Sequence, residues 1–287
     1  MEHDRSLPLS LSGLAPAALQ PAASTYVVEV FAPLSAAKST TDTASDTSAS
    51  FSGLTGLFSE NKSLRMERSE EKGEEDERAE REVPVLQLIH MDSGGGGMPE
   101  DISSVQVQWF STLIRTQRQR YQRQVPALVF IHIPFQEFAV AWQEGGGGGG
   151  GGGQCWGEKE DGVSPVDDDG GLFARINATH EVRGVFVGHN HCNDFCCEFS
   201  TKKLCFGRHT SYGGYNCEGY VQGARVIDIS VSLSSSSNTG TGTGTGTQTQ
   251  TQTEERDAGD TPIATAELDI RTHVRLINGD VVHEGSI

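Results

Sequence analysis

The stretch "VFVGHNHCNDF", residues 185–195, sets His189 and His191 two positions apart directly after an apolar run. Imidazoles at i and i+2 project to the same side of an extended backbone. The stretch can therefore aim two nitrogens at one point, which is metal-ligand geometry. A third imidazole, His132, closes a similar run, "PALVFIHIP". The plain alternative is a strand end carrying two solvated histidines. His132 taken alone is an ordinary buried or edge histidine and gains weight only from the other two.

The elements that must position these groups are legible as short runs. "YVVEVF" (26–31) and "VLQLIHM" (85–91) are β-branched or apolar and read as strands. Ser103 with Gln106 forms a capping-box pattern. Val105, Trp109 and Leu113, with Phe110 and Ile114, then make an apolar stripe at helical spacing. "ALVFI" before His132 and "GVFVG" before His189 are continuous apolar strands. Segments 224–230, 267–276 and 280–285 alternate and read as hairpin strands. This order predicts an α/β fold, a layered sandwich with β additions. Both histidine-bearing strands end at carboxyl tips, where open α/β sheets place ligand sites.

Composition sets limits. Residues 35–82 are Ser/Thr-rich and then Glu/Arg-rich, Gly145–Gly153 is unbroken glycine, and 233–253 is a Ser, Gly-Thr and Gln-Thr repeat. Such segments bury too little apolar surface to offset the entropy of ordering. The expectation is one domain over 1–287, interrupted by disordered low-complexity segments at about 35–82, 144–171 and 231–262. Twenty-two basic and 39 acidic residues give a net charge of −17, which repels a polyanion and sets nucleic acid aside as a partner. No apolar run reaches membrane-span length, and the N-terminus lacks a basic start and an apolar core. The compartment stays open, with the cytoplasm slightly favoured. Five of the six cysteines fall between Cys192 and Cys217, with no CxxC pair. They are expected to be buried thiols or an opportunistic disulfide rather than a separate zinc module.

"FIHIP" followed by "VFVGHNHCNDFC" resembles the calcineurin-like metallophosphoesterases, the superfamily that includes the purple acid phosphatases. "QVQWF" within a helix, "HIPFQEF" after a strand, and "LCFGRHTSYGGY", "GARVIDI" and "IRTHVRLINGD" further on extend the resemblance from about Tyr26 to Gly279. It is nearest to the plant and fungal branch with a GHDHxND signature, with Asn190 where that branch usually has Asp. The resemblance implies a β-sandwich flanked by helices and a phosphate ester as substrate. It also implies two divalent ions of iron, zinc or manganese type, about 3.5–4 Å apart, that generate a hydroxide nucleophile. On that reading His132 and His189 bind one metal and His191 the other, while Asn193 and Asp194 orient ligands or fix the loop.

The departures are equally specific. The family's D-x-H and G-D-x-x-Y motifs, which carry the carboxylate bridging both metals, are not in this sequence. "MEHDRS" faintly resembles the GNHD/GNHE motif, placing Glu2 at an amide ligand's position and His3 beside the leaving group. The chain thus looks like the C-terminal half of a metallophosphoesterase, with one metal or none held by these residues alone. The alternatives are an inactive remnant or metal-binding interaction protein of the same fold, and a mostly disordered interaction protein.

Overall fold

The computed structural model describes residues 25–33, 82–146, 154–235 and 264–287. Glu2, His3, most of the segment 35–82 and residues 236–263 lie outside the described residues. The elements are β1 (Tyr26–Pro33), β2 (Glu82–Met91), α1 (Ser104–Tyr121), β3 (Ala127–Ile131), α2 (Glu137–Glu144), β4 (Cys155–Trp156), α3 (Leu172–Asn177), β5 (Val182–Val187), β6 (Cys196–Phe199), β7 (Lys202–Phe206), β8 (Gly223–Ser235), β9 (Ala264–Leu276) and β10 (Val281–Ser286). The described part of the histidine region belongs to one compact unit, built from Pro84–Ile229 together with the chain up to Phe31 and Asp269–Ile287. A second unit, Ala32–Val83 with Ser230–Leu268, is represented among the described residues by strand ends alone.

Seven strands form one mixed sheet in the order β1-β2-β3-β5-β7-β6-β4, and a second sheet has the order β10-β9-β8. The pairs β2–β3, β3–β5 and β5–β7 are parallel. Central parallel strands are covered on both faces and so carry unbroken apolar runs. Accordingly Leu128, Val129, Val185 and Leu204 are fully buried. Tyr26, His90, Phe130 and Phe186 stack ring to ring across four neighbouring strands, with centroids 4.6, 5.0 and 5.3 Å apart. Cross-strand ring pairs of this kind reinforce register.

The capping box is present: Ser103 Oγ accepts from Gln106 N–H, and Gln106 Oε1 accepts from Ser103 N–H at 3.0 Å. Gln106 Nε2 also donates to the Asp92 carbonyl at 2.7 Å, tying the helix start to the end of β2. Ser103→Ala should lower stability by about 1 kcal/mol, read as a shift in the urea midpoint without a change in slope. The buried stripe of α1 differs from the expected one. It runs through Val107, Phe110 and Ile114, whereas Val105 is exposed and Trp109 and Leu113 are partly buried against the core. Val105 falls in the first turn, beside the cap and away from the sheet.

Two further expectations are corrected. The segment 144–171 is not an insert throughout: from Gln154 onward it is part of the fold. Cys155–Trp156 pairs with β6, Val166 is buried, and its N–H donates to the Pro134 carbonyl at 2.9 Å. A composition dominated by Gly and Asp hid these few anchors. The cysteines are not thiols either, because all six are paired: Cys155–Cys197, Cys192–Cys217 and Cys196–Cys205. Alternation along β6 points Cys196 and Cys197 to opposite faces. Each then meets the cysteine directly across from it, Cys205 on β7 and Cys155 on β4. Helices α2 and α3 and strands β6 and β7 were too short or too irregular for periodicity to reveal.

Candidate functional site

Strands β3 and β5 lie side by side and parallel, so their carboxyl tips coincide. Gly188 N–H donates to the His132 carbonyl at 2.9 Å, extending the pairing by one residue. There the chain leaves the sheet. His189 adopts φ 71°, and Asn190 N–H turns back to the Gly188 carbonyl at 2.9 Å. The extended geometry expected for His189 and His191 is therefore replaced by a turn. That turn still faces the His189 ring to the His132 ring, with centroids 5.4 Å apart and planes nearly perpendicular. Gly188 has room for this arrangement because it lacks a side chain: a Cβ there would stand 3.2 Å from His132 Nδ1.

His191 is directed elsewhere in the same cluster. Its ring stacks on Tyr215 at 4.2 Å and on His209 at 4.3 Å. Its Nδ1 donates to the Tyr215 carbonyl at 2.7 Å. A neutral imidazole fixed this way keeps its lone pair on Nε2, the arrangement that ligand histidines share. His209 makes a parallel bond, Nε2 to the Gly213 carbonyl at 2.9 Å, while its buried Nδ1 has no hydrogen-bond partner among the described residues.

Although His132 reaches solvent, the walls around its ring hold its pKa below the ordinary 6.5, first by desolvation and then through the positive charges His189 and His191 would carry. Burial lowers His90 likewise. Below pH 6.5 the unfolded chain then binds more protons than the folded one, so stability must fall as pH drops through 6.5 toward the lowered values. Unfolding curves between about pH 7.5 and 5 should show this slope, and His90→Phe should remove part of it.

Asn193 and Asp194 hold the loop. Asn193 Oδ1 accepts from Asp161 N–H at 3.0 Å, and its Nδ2 donates to the Gly162 carbonyl at 3.2 Å. Asp194, fully buried, accepts from Glu158 N–H at 2.7 Å, from Arg208 Nη1 at 2.5 Å and from His283 Nδ1 at 3.0 Å. Burial alone would lower Arg208, but its hydrogen bond to Asp194 wins and raises it. Arg225 is pulled down to about 10 by burial, despite the Asp194 charge. Its guanidinium donates to the Phe206 and Asp194 carbonyls and to Thr272 Oγ1. Arg208, Arg225, Thr210, Phe130, Gly188 and His132 share a cavity of about 460 Å³. Sequence reasoning assigned no role to Arg208, Tyr215, Arg225 or His283, although the first three lie in "LCFGRHTSYGGY" and "GARVIDI", stretches that extend the resemblance.

The nitrogen donors suit a divalent cation of zinc, iron or manganese type, and the carbonyl on His191 sets the right tautomer. The carboxylate share does not fit. Among the described residues no three His, Cys, Asp or Glu side chains gather into a group able to hold a metal ion. Glu2 and His3, which the motif resemblance alone implies for such a site, lie outside the described residues.

Half of the chain is similar to purple acid phosphatases. It is 30% identical over 156 residues to probable inactive purple acid phosphatase 29 of Arabidopsis thaliana, 50% of this chain and 38% of that protein. Probable inactive purple acid phosphatases 14 and 28 of the same plant are 27% and 28% identical over 158 and 151 residues, 37% and 36% of their lengths. The chain thus spans a little over a third of the curated relatives it matches. No family model matches it, and no solved structure does. The mixed α/β architecture with a large sheet is consistent with a metallophosphoesterase-like fold.

Proposed function

We propose that residues 1–287 are the C-terminal portion of a single metal-dependent phosphoesterase domain of the purple acid phosphatase kind, whose substrates are phosphomonoesters. His132 and His189 are ligands of one divalent cation and His191 of another, with Asn193 and Asp194 fixing the loop that carries them. Glu2 as a further ligand and His3 beside the leaving group rest on the sequence alone. The observation that carries this reading is the facing of two imidazoles across adjacent parallel strand tips, within a chain half of which matches purple acid phosphatases. Bound cations would polarise the phosphoryl group and supply hydroxide near neutral pH. The residues present would contribute imidazole nitrogens, a His191 ring oriented by the Tyr215 carbonyl and a loop held by hydrogen bonds to Asn193 and Asp194.

A second reading is that these 287 residues bind a cation without turnover. It is favoured by the lack of D-x-H and G-D-x-x-Y motifs in the sequence, and by the word "inactive" in the names of all three relatives. The two readings divide on one experiment. The purified chain is dialysed against Zn²⁺, its metal content measured, and p-nitrophenyl phosphate turnover followed beside His189→Ala. Bound zinc with turnover that His189→Ala abolishes establishes a phosphoesterase. Bound zinc without turnover establishes the binding module, and no bound zinc sinks both.

Nucleic acid is a poor partner for a net charge of −17. Among the described residues no helix is long and apolar enough to cross a membrane. Three disulfides using every cysteine support residence in an oxidising compartment rather than the cytosol.

A further inference from the structure

The loop between β7 and β8 folds back over His191 as a strap, Gly213–Cys217. Tyr215 lies flat on the His191 ring, 4° from parallel, and its carbonyl accepts from Nδ1. Its hydroxyl accepts from His191 N–H at 3.0 Å and donates to the Asp161 carboxylate. Gly214, at φ 79°, passes so close that a Cβ would stand 2.6 Å from His191 Cε1. His209 closes the opposite face of the ring and donates to the Gly213 carbonyl. The fastening is covalent: Cys217, two residues after Tyr215, is bonded to Cys192, the residue after His191.

The three disulfides differ in what they join. Cys155–Cys197 and Cys196–Cys205 bridge direct partners on hydrogen-bonded strands, so the sheet holds those sulfurs together with or without the bond. Cys192–Cys217 joins a buried residue to an exposed loop, and no strand pairing holds Cys217 in place. Cys217 and Cys155 are half-buried, within reach of a thiolate, whereas Cys196 and Cys205 are fully buried; of the two reachable bonds, Cys155–Cys197 is the one that strand pairing also holds.

We propose that the strap is a disulfide-fastened clamp on His191, and that a dithiol reductant releases His191 by opening Cys192–Cys217 while the sheet stays intact. One thiolate of the reductant attacks Cys217 Sγ, the S–S bond breaks, and the Cys192 thiolate leaves and is protonated. The second thiol of the reductant then attacks the mixed disulfide and releases Cys217. The reductant is oxidised to its own disulfide, and two electrons and two protons end on the two cysteines. The inference deepens the proposed site, since it states when His191 is held in its ligand-competent tautomer. Its test needs neither metal nor substrate, so it succeeds or fails independently of the phosphoesterase reading.

The test titrates the oxidised chain with dithiothreitol. Opening of each disulfide is followed by alkylation and peptide mass analysis, and the reactivity of His191 by its rate of modification with diethyl pyrocarbonate. The expected result is that Cys192–Cys217 opens first and that His191 then reacts at least about tenfold faster, the size expected for losing two net hydrogen bonds. Amide exchange at Leu128 and Val185 should stay slow throughout. An unchanged His191 rate after that bond has opened overturns the proposal. So does opening that occurs only together with fast exchange in the sheet. Gly214→Ala, which leaves every cysteine in place, should raise the same rate in the oxidised protein; a rate equal to the parent's would also overturn the clamp.

Discussion

Asp194→Ala should lower stability by about 3–5 kcal/mol, the loss typical when one member of a buried ion pair is removed. Asp194 has no exposed surface, and the Arg208 side chain that donates to it is 3% exposed. Without the carboxylate, the guanidinium keeps Glu158, itself 46% exposed, the Val221 carbonyl and its place over the Tyr220 ring, 3.6 Å from the centroid. The same substitution leaves Glu158 N–H and His283 Nδ1 without their acceptor. Asp269→Ala serves as the control, because its pair with Arg271 is exposed on both sides and contributes about 1 kcal/mol at most. Equilibrium unfolding in urea measures both. A loss below about 1 kcal/mol for Asp194→Ala would show that this carboxylate does not anchor the loop carrying His189 and His191.

The other large effect concerns cation affinity. His132→Ala and His189→Ala should each weaken Zn²⁺ binding at least about 100-fold, since losing even an outer hydrogen-bonding partner of a ligand costs up to that much. Each variant leaves a lone imidazole where two faced each other. His273→Ala is the matched control: that imidazole pairs with Asp228 at 3.1 Å and does not face the His132–His189 pair in any ring contact among the described residues. Competition against a chromogenic chelator gives the three constants. Equal affinity in His132→Ala and the parent would remove the pair from the metal site. His191→Ala should have the smaller effect on the first cation bound, because its ring faces Tyr215 and His209 instead of the His132–His189 pair.

Much of the frame can be read without coordinates, and particular residues show why. "ALVFI" and "GVFV", the last four residues of β5, are buried stretches of strand because nothing polar interrupts them, and Ser103 with Gln106 starts α1 because their mutual hydrogen bonds are local. Apolar continuity and capping depend on neighbours in the chain, so the chain displays them. The cysteines show the opposite case. Cys196 and Cys197 are adjacent in sequence yet bonded in opposite directions, a consequence of strand alternation that requires knowing β6 is a strand. Val105 belongs to the expected apolar stripe and is exposed, because the position of the sheet, not periodicity, selects which side of a helix is covered.

The sequence by itself determined that three histidines stand at or just beyond the ends of apolar strands, that acidic charge dominates, and that neither a D-x-H nor a G-D-x-x-Y motif occurs in these 287 residues. Only the tertiary structure decided that β3 and β5 are neighbours, and so that His132 meets His189 while His191 turns to the Tyr215 strap. It also decided that Arg208, fourteen residues after Asp194, is that carboxylate's buried partner. The reason is physical: strand order and the path of a loop are fixed by packing between segments distant in the chain, and such packing leaves no local pattern in the residues that take part.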